Sequence, residues 1–338
     1  MQCRFSTRPV LVFLATVLTT SAGGLRANEP AGTKEAELIE ARKIWDEAPH
    51  NAFTDLIRFN DRWFCVFREG AAHVSPDGAL RVITSVDGKD WTSAALIKSE
   101  TADLRDAKIT LTPDGRLMLS GAAALHDTSK ATHQSLVWFS SDGKVWSEAH
   151  PVADPDFWMW RTTWHKGVAY GVGYGCRETN KFIRLYKSDD GRKFSTVVEN
   201  LFDQGYPNET SLIFREDDSC LCLCRRDEGT ATAQLGVSKP PYTDWTWKDL
   251  GRQLGGPHML RLPDGRFVAA GRLYDDRQRT SLLWLDPEAG TLKEFLPLPS
   301  GGDTSYPGLV LHNGLLWVSY YASHEDKTNI YLAKVKLP

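Results

Sequence analysis

Three arginines keep the same distance from a predicted tight turn. Arg68, Arg225 and Arg272 each lie eight residues after a turn centred at position 60, 217 or 264. A guanidinium group meets a carboxylate with two parallel hydrogen bonds, so several guanidinium groups in one place form an anion site. Surface arginines in water have no reason to keep a fixed spacing. We therefore expect these three side chains to converge on an acidic ligand.

A second polar set precedes the same series of turns by five to nine residues. Its members are Arg105, Asp106, Arg161, Glu209 and Tyr306. Carboxyl groups can give and take protons. A phenol, with an ordinary pKa near 10, becomes a good nucleophile only when a base removes its proton. The two sets together predict a site that combines positive charge, carboxyl groups and one phenol.

The elements that must position these side chains are β-hairpins. Turn residues flanked by alternating apolar residues recur six times, for example in LIRFNDRWFCVF around Asn60 and in LVLHNGLLWVSY around Asn313. The six turns follow one another at intervals of 47 to 54 residues. Repeats of this length predict an all-β fold, a six-bladed β-propeller in which four-stranded antiparallel sheets surround a central channel.

A shorter motif repeats out of phase with the hairpins. The pattern S-x-D-G-x-x-W/F occurs around Asp87, Asp142 and Asp190. Ser and Asp side chains can cap a turn, and Gly supplies the backbone conformation that the turn needs. These motifs are Asp boxes, and with them the sequence resembles the sialidase-like six-bladed β-propellers. The boxes of that family lie away from the active site, which implies a structural role for the three aspartates.

The resemblance covers roughly residues 45–337 and implies a set of site residues. Sialidases hold a substrate carboxylate with three arginines, use a Tyr activated by a Glu as nucleophile, and use an Asp as acid/base. Glu209 in GYPNETSL resembles the family's fourth-blade Glu, and Arg225 in LCLCRRD resembles the Arg that follows it. Arg272 in AAGRLY and Tyr306 in GGDTSYPGL resemble the fifth-blade Arg and the sixth-blade Tyr.

Two departures from the family pattern leave part of the site open. The first blade begins HNAFTDL, without the arginine usual there, so Arg68 becomes the candidate for the third guanidinium. Arg105 and Arg161 are further candidates for substrate binding. The acid/base Asp of the family has no direct match in its usual loop. The candidates for this role are Glu69, His73 and Asp106.

The N-terminal residues predict an exported protein. Arg4 and Arg8 precede an apolar run too short to be a permanent membrane span, so residues 1–27 resemble a secretory signal peptide. We expect residues 28–44 to form a leader and residues 45–338 to form one propeller domain. The ring is expected to close by pairing of residues 41–45 with residues 329–335. The predicted location is secreted or periplasmic, and the predicted state is a monomer without a membrane span.

The charge balance argues against a nucleic-acid ligand, and the pattern of cysteines argues against disulfides and a metal ion. The chain has 40 Lys and Arg against 43 Asp and Glu, so it lacks the basic surplus of nucleic-acid-binding proteins. Cys220, Cys222 and Cys224 alternate along one strand, which favours small buried residues over disulfides. The sequence has no zinc-ligand spacing and no HExxH motif. We therefore expect no metal and no cofactor.

The resemblance implies an exported exo-glycosidase that hydrolyses a terminal sialic acid or a related acidic 2-keto sugar with retention. Two alternatives remain open at this point. One is a non-catalytic propeller that binds an acidic glycan or a sialoglycoconjugate. The other is a lyase or inverting hydrolase on the same fold, with Tyr306 or His73 as general base. Fold alone does not decide among them.

Overall fold

The computed structural model describes residues 35–338, which form six antiparallel sheets of four strands each. The innermost strand of each sheet contacts the innermost strands of the sheets on both sides, so the sheets close into a ring. This is the predicted six-bladed β-propeller. A single-turn 3-10 helix, Glu178–Asn180, interrupts the strands, and within residues 35–338 no helix is long and apolar enough to cross a membrane.

Blades 1 to 5 each take four consecutive strands, from the innermost to the outermost. Blade 1 contains β2 (His50–Phe59), β3 (Arg62–Gly70), β4 (Ala79–Ser85) and β5 (Thr92–Ile97). Blade 2 contains β6 (Ala102–Leu111), β7 (Leu117–Leu125), β8 (His133–Ser140) and β9 (His150–Val152). Blade 3 contains β10 (Phe157–His165), β11 (Val168–Gly175), β12 (Ile183–Ser188) and β13 (Ser195–Phe202).

The second half of the ring repeats this order and then departs from it in the last blade. Blade 4 contains β14 (Pro207–Phe214), β15 (Cys220–Arg226), β16 (Thr232–Ser238) and β17 (Trp245–Gln253). Blade 5 contains β18 (Gly255–Arg261), β19 (Phe267–Leu273), β20 (Arg279–Asp286) and β21 (Thr291–Pro297). Blade 6 contains β22 (Thr304–His312), β23 (Leu315–Ala322), β24 (Asn329–Lys336) and, as its outermost strand, β1 (Glu37–Trp45).

The ring closes by pairing the two ends of the described chain. Ala41 pairs with Ala333 and Trp45 pairs with Ile330, in the predicted antiparallel arrangement. The closing strand begins at Glu37, however, so the predicted boundary between leader and propeller at residues 44 and 45 falls at the end of a strand of the fold. Residues 37–44 belong to blade 6 because their backbone pairs with β24. The predicted signal peptide, residues 1–27, lies outside the described residues.

The hydrophobic core lies in and between the blades. In blade 4, Cys220, Cys222 and Cys224 are fully buried among Leu212, Tyr242 and other apolar side chains. Burial raises the pKa of the Cys224 thiol to about 12, so it stays protonated at neutral pH. The alternating cysteines are therefore small core residues of β15.

The three S-x-D-G motifs form the same turn in blades 1, 2 and 3. In each turn the Ser hydroxyl accepts a hydrogen bond from the Gly amide, and the Asp carboxylate accepts hydrogen bonds from the amides of the two residues after the Gly. A Cβ atom on Gly88 would lie 2.4 Å from Trp317 of blade 6, and one on Gly143 would lie 2.2 Å from Phe64 of blade 1. The turns thus pack each blade on the preceding one, at the end of the sheet opposite the start of the innermost strand.

Candidate active site

The innermost strand of every blade contains a β-bulge near its start. In each bulge, two consecutive residues lie opposite one residue of the second strand. The six pairs are Phe53–Thr54, Asp106–Ala107, Trp160–Arg161, Asn208–Glu209, Gly256–Pro257 and Tyr306–Pro307. A bulge breaks the alternation of a strand and redirects its side chains. The bulges therefore turn side chains from successive blades toward the channel mouth.

Four of the six bulges begin with a residue in the left-handed region. The φ angles are +65° at Phe53, +54° at Asp106, +60° at Gly256 and +51° at Tyr306. Side chains other than glycine adopt this region at an energetic cost, typically of order 1–3 kcal/mol each, and such strain concentrates at functional sites. The three strained side chains approach the channel at the same level of the fold.

Tyr306, Glu209 and Arg225 form one hydrogen-bonded group. The Tyr306 hydroxyl donates to Glu209 Oε1 at 2.5 Å, and Arg225 Nη1 donates to Glu209 Oε2 at 2.9 Å and to the Tyr306 oxygen at 3.1 Å. The backbone amide of Gly256 also donates to Glu209 Oε2, at 2.8 Å. Glu209 and Tyr306 are both buried. The carboxylate is thus held in place to accept the phenolic proton.

The charges of the group define its resting state. Burial favours a neutral Glu209, but the Arg225 charge and the hydrogen bonds from Tyr306, Arg225 and Gly256 outweigh it and lower the carboxyl pKa. Burial and the Glu209 charge together raise the pKa of Tyr306 well above 10, against the opposing charges of Arg225 and Arg272. The resting pair is a carboxylate and a neutral phenol. A tyrosinate forms here only as its proton moves to Glu209.

Arg272 lies beside the Tyr306 ring. Its guanidinium carbon is 5.7 Å from the ring centroid. Nε donates to the Thr304 carbonyl at 2.7 Å, and Nη2 donates to Asp303 at 2.8 Å and to the Tyr321 hydroxyl at 2.9 Å. Within residues 35–338, neither Nη1 of Arg272 nor Nη2 of Arg225 makes a hydrogen bond. Each guanidinium therefore keeps one nitrogen for a ligand.

Asp106 is a buried carboxyl group of different character. Burial raises its pKa and the nearby Glu209 raises it further, while the charges of Lys108, Arg105 and Arg68 oppose this rise. No hydrogen bond to another described residue fixes its carboxylate oxygens. Glu209 is thus stabilised as an anion, whereas Asp106 is biased toward its neutral acid form. Two carboxyl groups with opposite pKa shifts are what a separate base and acid require.

The floor of the site is aromatic and carries one buried lysine. Phe53 and Trp160 pack edge-on against Tyr306, with ring centroids 5.1 and 5.6 Å away. The Lys108 ammonium lies 4.8 Å from the Trp160 ring centroid and 3.2 Å from the Ala107 carbonyl. Burial lowers the pKa of Lys108 to about 8. Below it the channel widens into a cavity of about 580 Å³.

Arg68 is placed differently from the other two arginines of the predicted anion site. It is fully buried, and its guanidinium donates to Asp103, to Ser75 and to the Ala72 carbonyl. All three of its nitrogens are therefore engaged within the protein. We assign Arg68 to the packing of the loop over residues 71–78 and leave it out of the proposed anion site.

The remaining candidates divide between the mouth and the surrounding structure. Glu69, near the end of β3, accepts hydrogen bonds from Nε and Nη2 of Arg81 and from the Trp45 indole. Arg161 forms a 2.9 Å ion pair with Asp55 and lines the cavity below the bulges. Arg105 stacks on Phe53, with its guanidinium carbon 5.5 Å from the ring centroid, and is the third arginine at the mouth.

His73 lies at the edge of the mouth beside Asp303. The two side chains meet at 2.6 Å, between His73 Nδ1 and Asp303 Oδ2. Sequence reasoning included His73 but missed Asp303, Lys108 and the Gly256 amide. Lys108 follows Asp106 by two residues on β6, and Gly256 lies in the bulge of β18. Both positions follow from a bulge in the innermost strand, which alternation of side chains alone does not predict.

Comparisons with known proteins agree with the fold. No family model matches the chain, and no curated protein matches it. Among solved structures, a protein of unknown function from Dyadobacter fermentans superposes with a TM-score of 0.80 at 21% identity, covering 90% of this chain and all of that one. Because the identity is below 25%, this likeness concerns the fold.

Two glycoside hydrolases are also among the similar structures. Trypanosoma rangeli sialidase, solved with the inhibitor DANA, gives a TM-score of 0.68 at 12% identity over 85% of this chain and 55% of that one. The α-L-arabinofuranosidase Arb93A from Fusarium graminearum gives 0.67 at 15% identity over 88% and 97%. The chain thus spans about half the length of the sialidase and nearly all of the arabinofuranosidase. Its fold is one on which glycosidases with different substrates are built.

Proposed function

We propose that the protein is an exo-glycosidase that hydrolyses a terminal sialic acid or a related acidic 2-keto sugar with retention of configuration. The observation that carries the proposal is the hydrogen-bonded group of Tyr306, Glu209 and Arg225. In this group the phenolic proton points at a carboxylate 2.5 Å away, so the base that would activate the phenol is already in place. Tyrosine is the nucleophile that sialidases use in place of a second carboxylate.

Substrate binding is assigned to the arginines at the mouth. Arg225 and Arg272 approach Tyr306 from two sides, and each keeps one unbonded nitrogen. A sugar carboxylate bound by both would place its anomeric carbon beside the Tyr306 oxygen. Arg105 adds a third positive charge next to Phe53. A neutral phenol as nucleophile avoids the repulsion that a carboxylate nucleophile would meet from the substrate's own carboxylate.

The first half of the reaction breaks the glycosidic bond. The Tyr306 oxygen bonds to the anomeric carbon while its proton passes to Glu209. The bond to the leaving oxygen breaks, and that oxygen takes a proton from Asp106. Asp106 fits this role because burial raises its pKa, which keeps the acid form available.

The second half regenerates the enzyme. Asp106, now a carboxylate, takes a proton from water as the water oxygen attacks the anomeric carbon. The bond to Tyr306 breaks, and Glu209 returns the proton to the phenolate. Two displacements on the same carbon give net retention.

The proposal is tested by a screen of terminal acidic glycosides followed by stereochemical analysis. Aryl glycosides of sialic acid and of related 2-keto sugar acids are supplied to the purified protein, and the first product anomer is identified by NMR. Release of the retained anomer is expected. Release of the inverted anomer, or of an unsaturated sugar, would reject the Tyr306 mechanism, and binding without release would favour the non-catalytic alternative.

A second candidate is a hydrolase of neutral sugars that uses two carboxyl groups. The observation that favours it is the pair Asp106 and Glu209, whose charges influence each other across the mouth. The arabinofuranosidase neighbour is named for action on a neutral sugar. Under this mechanism Tyr306 would orient Glu209 and would not bond to the sugar. Parallel assays on arabinofuranosides and sialosides distinguish the two candidates directly.

Export belongs to the same proposal, since terminal acidic sugars are found on glycans outside the cytoplasm. We propose that residues 1–27 direct the chain to the periplasm or the medium and are then removed. N-terminal sequencing of the mature protein from these fractions tests this step. A mature chain that still begins at Met1 would contradict it.

A further inference from the structure

Three metal-binding side chains meet at the edge of the mouth, outside the group that surrounds Tyr306. His50 begins β2, His73 lies in the loop after β3, and Asp303 immediately precedes β22. One donor atom from each lies within 4.8 Å of the others. The three residues come from positions far apart in sequence, and the closure of blade 6 against blade 1 brings them together.

The distances suit a single ion after a small adjustment. His73 Nδ1 is 2.6 Å from Asp303 Oδ2, and His50 Nε2 is 3.5 Å from the same oxygen. Donor atoms bound at about 2.0–2.1 Å in a tetrahedral zinc site are about 3.4 Å apart. The His73 side chain is half exposed, so its donor atom has room to move toward this spacing.

His50 provides a second, independent observation. Its side chain is only 9% exposed, and within residues 35–338 neither of its ring nitrogens makes a hydrogen bond. Buried polar groups are nearly always satisfied, and an orphaned one calls for a missing partner. The ring lies 5.4 Å from that of His73 and shares its approach to Asp303. An ion at this point would give His50 a direct bond in place of the 3.5 Å contact between its Nε2 and Asp303 Oδ2.

We propose that His50, His73 and Asp303 bind a divalent transition-metal ion, with Zn²⁺ as the reference case. Two imidazoles and one carboxylate are the donor set of open zinc sites, which leave a coordination position for water or a ligand. The other carboxylate oxygen of Asp303 is fixed by Arg272 and Tyr321, which gives the ligand the outer support found around bound metals.

The ion would serve substrate recognition at the edge of the mouth. Asp303 links the metal site to Arg272, so the ion would lie one residue away from a proposed carboxylate-binding group. A coordination position on the exposed His73 side could take a hydroxyl or carboxylate oxygen of the ligand. The metal site does not require Tyr306 to be a nucleophile, because no ligand of the ion belongs to the Tyr306 group.

The test is metal binding by the full-length mature protein after treatment with a chelator. Zn²⁺ binding is measured by calorimetry, and Co²⁺ binding by its visible absorption, which reports coordination geometry. One equivalent of either ion is expected to bind, whereas Mg²⁺ and Ca²⁺, which prefer oxygen ligands, are not expected to compete. His73→Ala should weaken binding by about 100-fold or more, since it removes a direct ligand.

The matched control is His324→Ala, which removes an exposed histidine on the neighbouring loop of blade 6. This variant should bind as the unmodified protein does. His50→Gln provides a second test at a buried position, and circular dichroism verifies that it folds. Absence of saturable binding to the unmodified protein, or equal affinity in the His73→Ala and His324→Ala variants, would overturn the proposal.

Discussion

The proton between Tyr306 and Glu209 is the feature of the site on which its chemistry depends. Arg225 contacts both oxygens, so it stabilises negative charge wherever the proton resides. Burial raises the pKa of Tyr306. The charge of Arg225 lowers the pKa of Glu209. These shifts keep the tyrosinate rare in the resting protein. It becomes accessible only as bond formation to a substrate draws charge from the oxygen.

Replacement of Tyr306 by Phe is expected to reduce kcat by about 1,000-fold or more while KM changes little, because the variant loses the nucleophile and keeps the arginines. Steady-state kinetics on an aryl glycoside measure both quantities. The control is Tyr320→Phe, a buried tyrosine whose hydroxyl bonds to the Pro299 carbonyl away from the site. Full activity in Tyr306→Phe would exclude the covalent route.

The pH profile of kcat/KM should depend on two carboxyl groups, one of which must be ionised and the other protonated. Activity requires ionised Glu209, whose pKa is lowered, and protonated Asp106, whose pKa is raised. The acid side of the profile of kcat/KM therefore belongs to Glu209, and the alkaline side belongs to Asp106. Asp106→Asn should abolish the alkaline decline in the residual activity.

The same variant should also become selective for the leaving group. Asp106→Asn is expected to lose roughly 100-fold or more on natural glycosides and much less on nitrophenyl glycosides, which need no protonation. Glu69→Gln and His73→Ala are the parallel variants of the other two sequence candidates. If either of them, and not Asp106→Asn, shows this selectivity, the acid has been assigned to the wrong residue.

Arg272, at the proposed binding site, and Arg68, buried within the protein, should respond differently to replacement by lysine. Arg272→Lys is expected to raise KM for an acidic substrate by about 10-fold or more, since an ammonium group cannot reproduce the planar fork of a guanidinium. Arg68→Lys should lower thermal stability and leave KM unchanged, because all three nitrogens of Arg68 are already engaged by Asp103, Ser75 and the Ala72 carbonyl. Equal increases of KM in both variants would show that Arg68 takes part in substrate binding.

At the scale of the strand, the bulges explain which side chains reach the mouth. Arg68 pairs with Ala52 and Arg272 pairs with Gly255, each just before the bulge of its blade. Arg225 instead lies opposite the bulge of β14, because the residue facing the bulge is eight residues after the turn in blade 4 and seven residues after it in blades 1 and 5. Equal spacing from the turn therefore does not mean equal position in the sheet.

This difference shows how far the sequence could predict the site. The hairpin turns, the six blades and the positions of Glu209 and Tyr306 follow from local patterns of turn and apolar residues. The environment of Arg68 does not, because it depends on Asp103 in the next blade and on how the loop before β4 folds over it. The same holds for His50 and Asp303, whose proximity depends on the closed ring.

The bulge of blade 5 allows a test that separates backbone strain at Gly256 from its contact with Tyr306. Gly256 has φ of +60°, and a Cβ atom there would lie 3.0 Å from the Tyr306 ring. Gly256→Ala should therefore lose about 1 kcal/mol of stability and most of its turnover, since the phenol must shift away from Glu209. Chemical denaturation and steady-state kinetics measure the two effects.

Gly115 provides the matched control, because its φ is +78° and a Cβ atom there would meet nothing within 4 Å. Gly115→Ala should show a similar loss of stability with unchanged turnover. Equal turnover in both variants would mean that the position of Tyr306 tolerates the displacement.

At the scale of the whole molecule, the buried Lys108 links stability to pH. Its pKa is lowered to about 8 in the folded protein, chiefly by burial, and is near 10.5 in the unfolded chain. Between these values the unfolded chain retains a proton that the folded protein has released, so this residue makes stability rise with pH there. Below pH 8 the buried charge imposes its full cost.

Lys108→Met should therefore increase the free energy of unfolding at pH 7 by up to roughly 3 kcal/mol, with a smaller increase at pH 10. Urea denaturation at the two pH values measures the difference. Lys187→Met, at an exposed position on β12, should show no such dependence. A Lys108→Met variant less stable than the unmodified protein at pH 7 would show that the ammonium is stabilised by more than its contacts with the Phe53, Thr54 and Ala107 carbonyls.

The closure of the ring by β1 has a consequence for how the protein is made. A ribosome synthesises β1 before any other strand of the propeller, yet its partner β24 emerges last. Until then the first strand has no neighbour, and the inner strand of blade 1 lacks the blade that should cover it. Unpaired edges and incomplete cores are the surfaces on which nascent chains aggregate. Completion of this fold must therefore wait until β24, the last of these strands in sequence, is available to pair with β1.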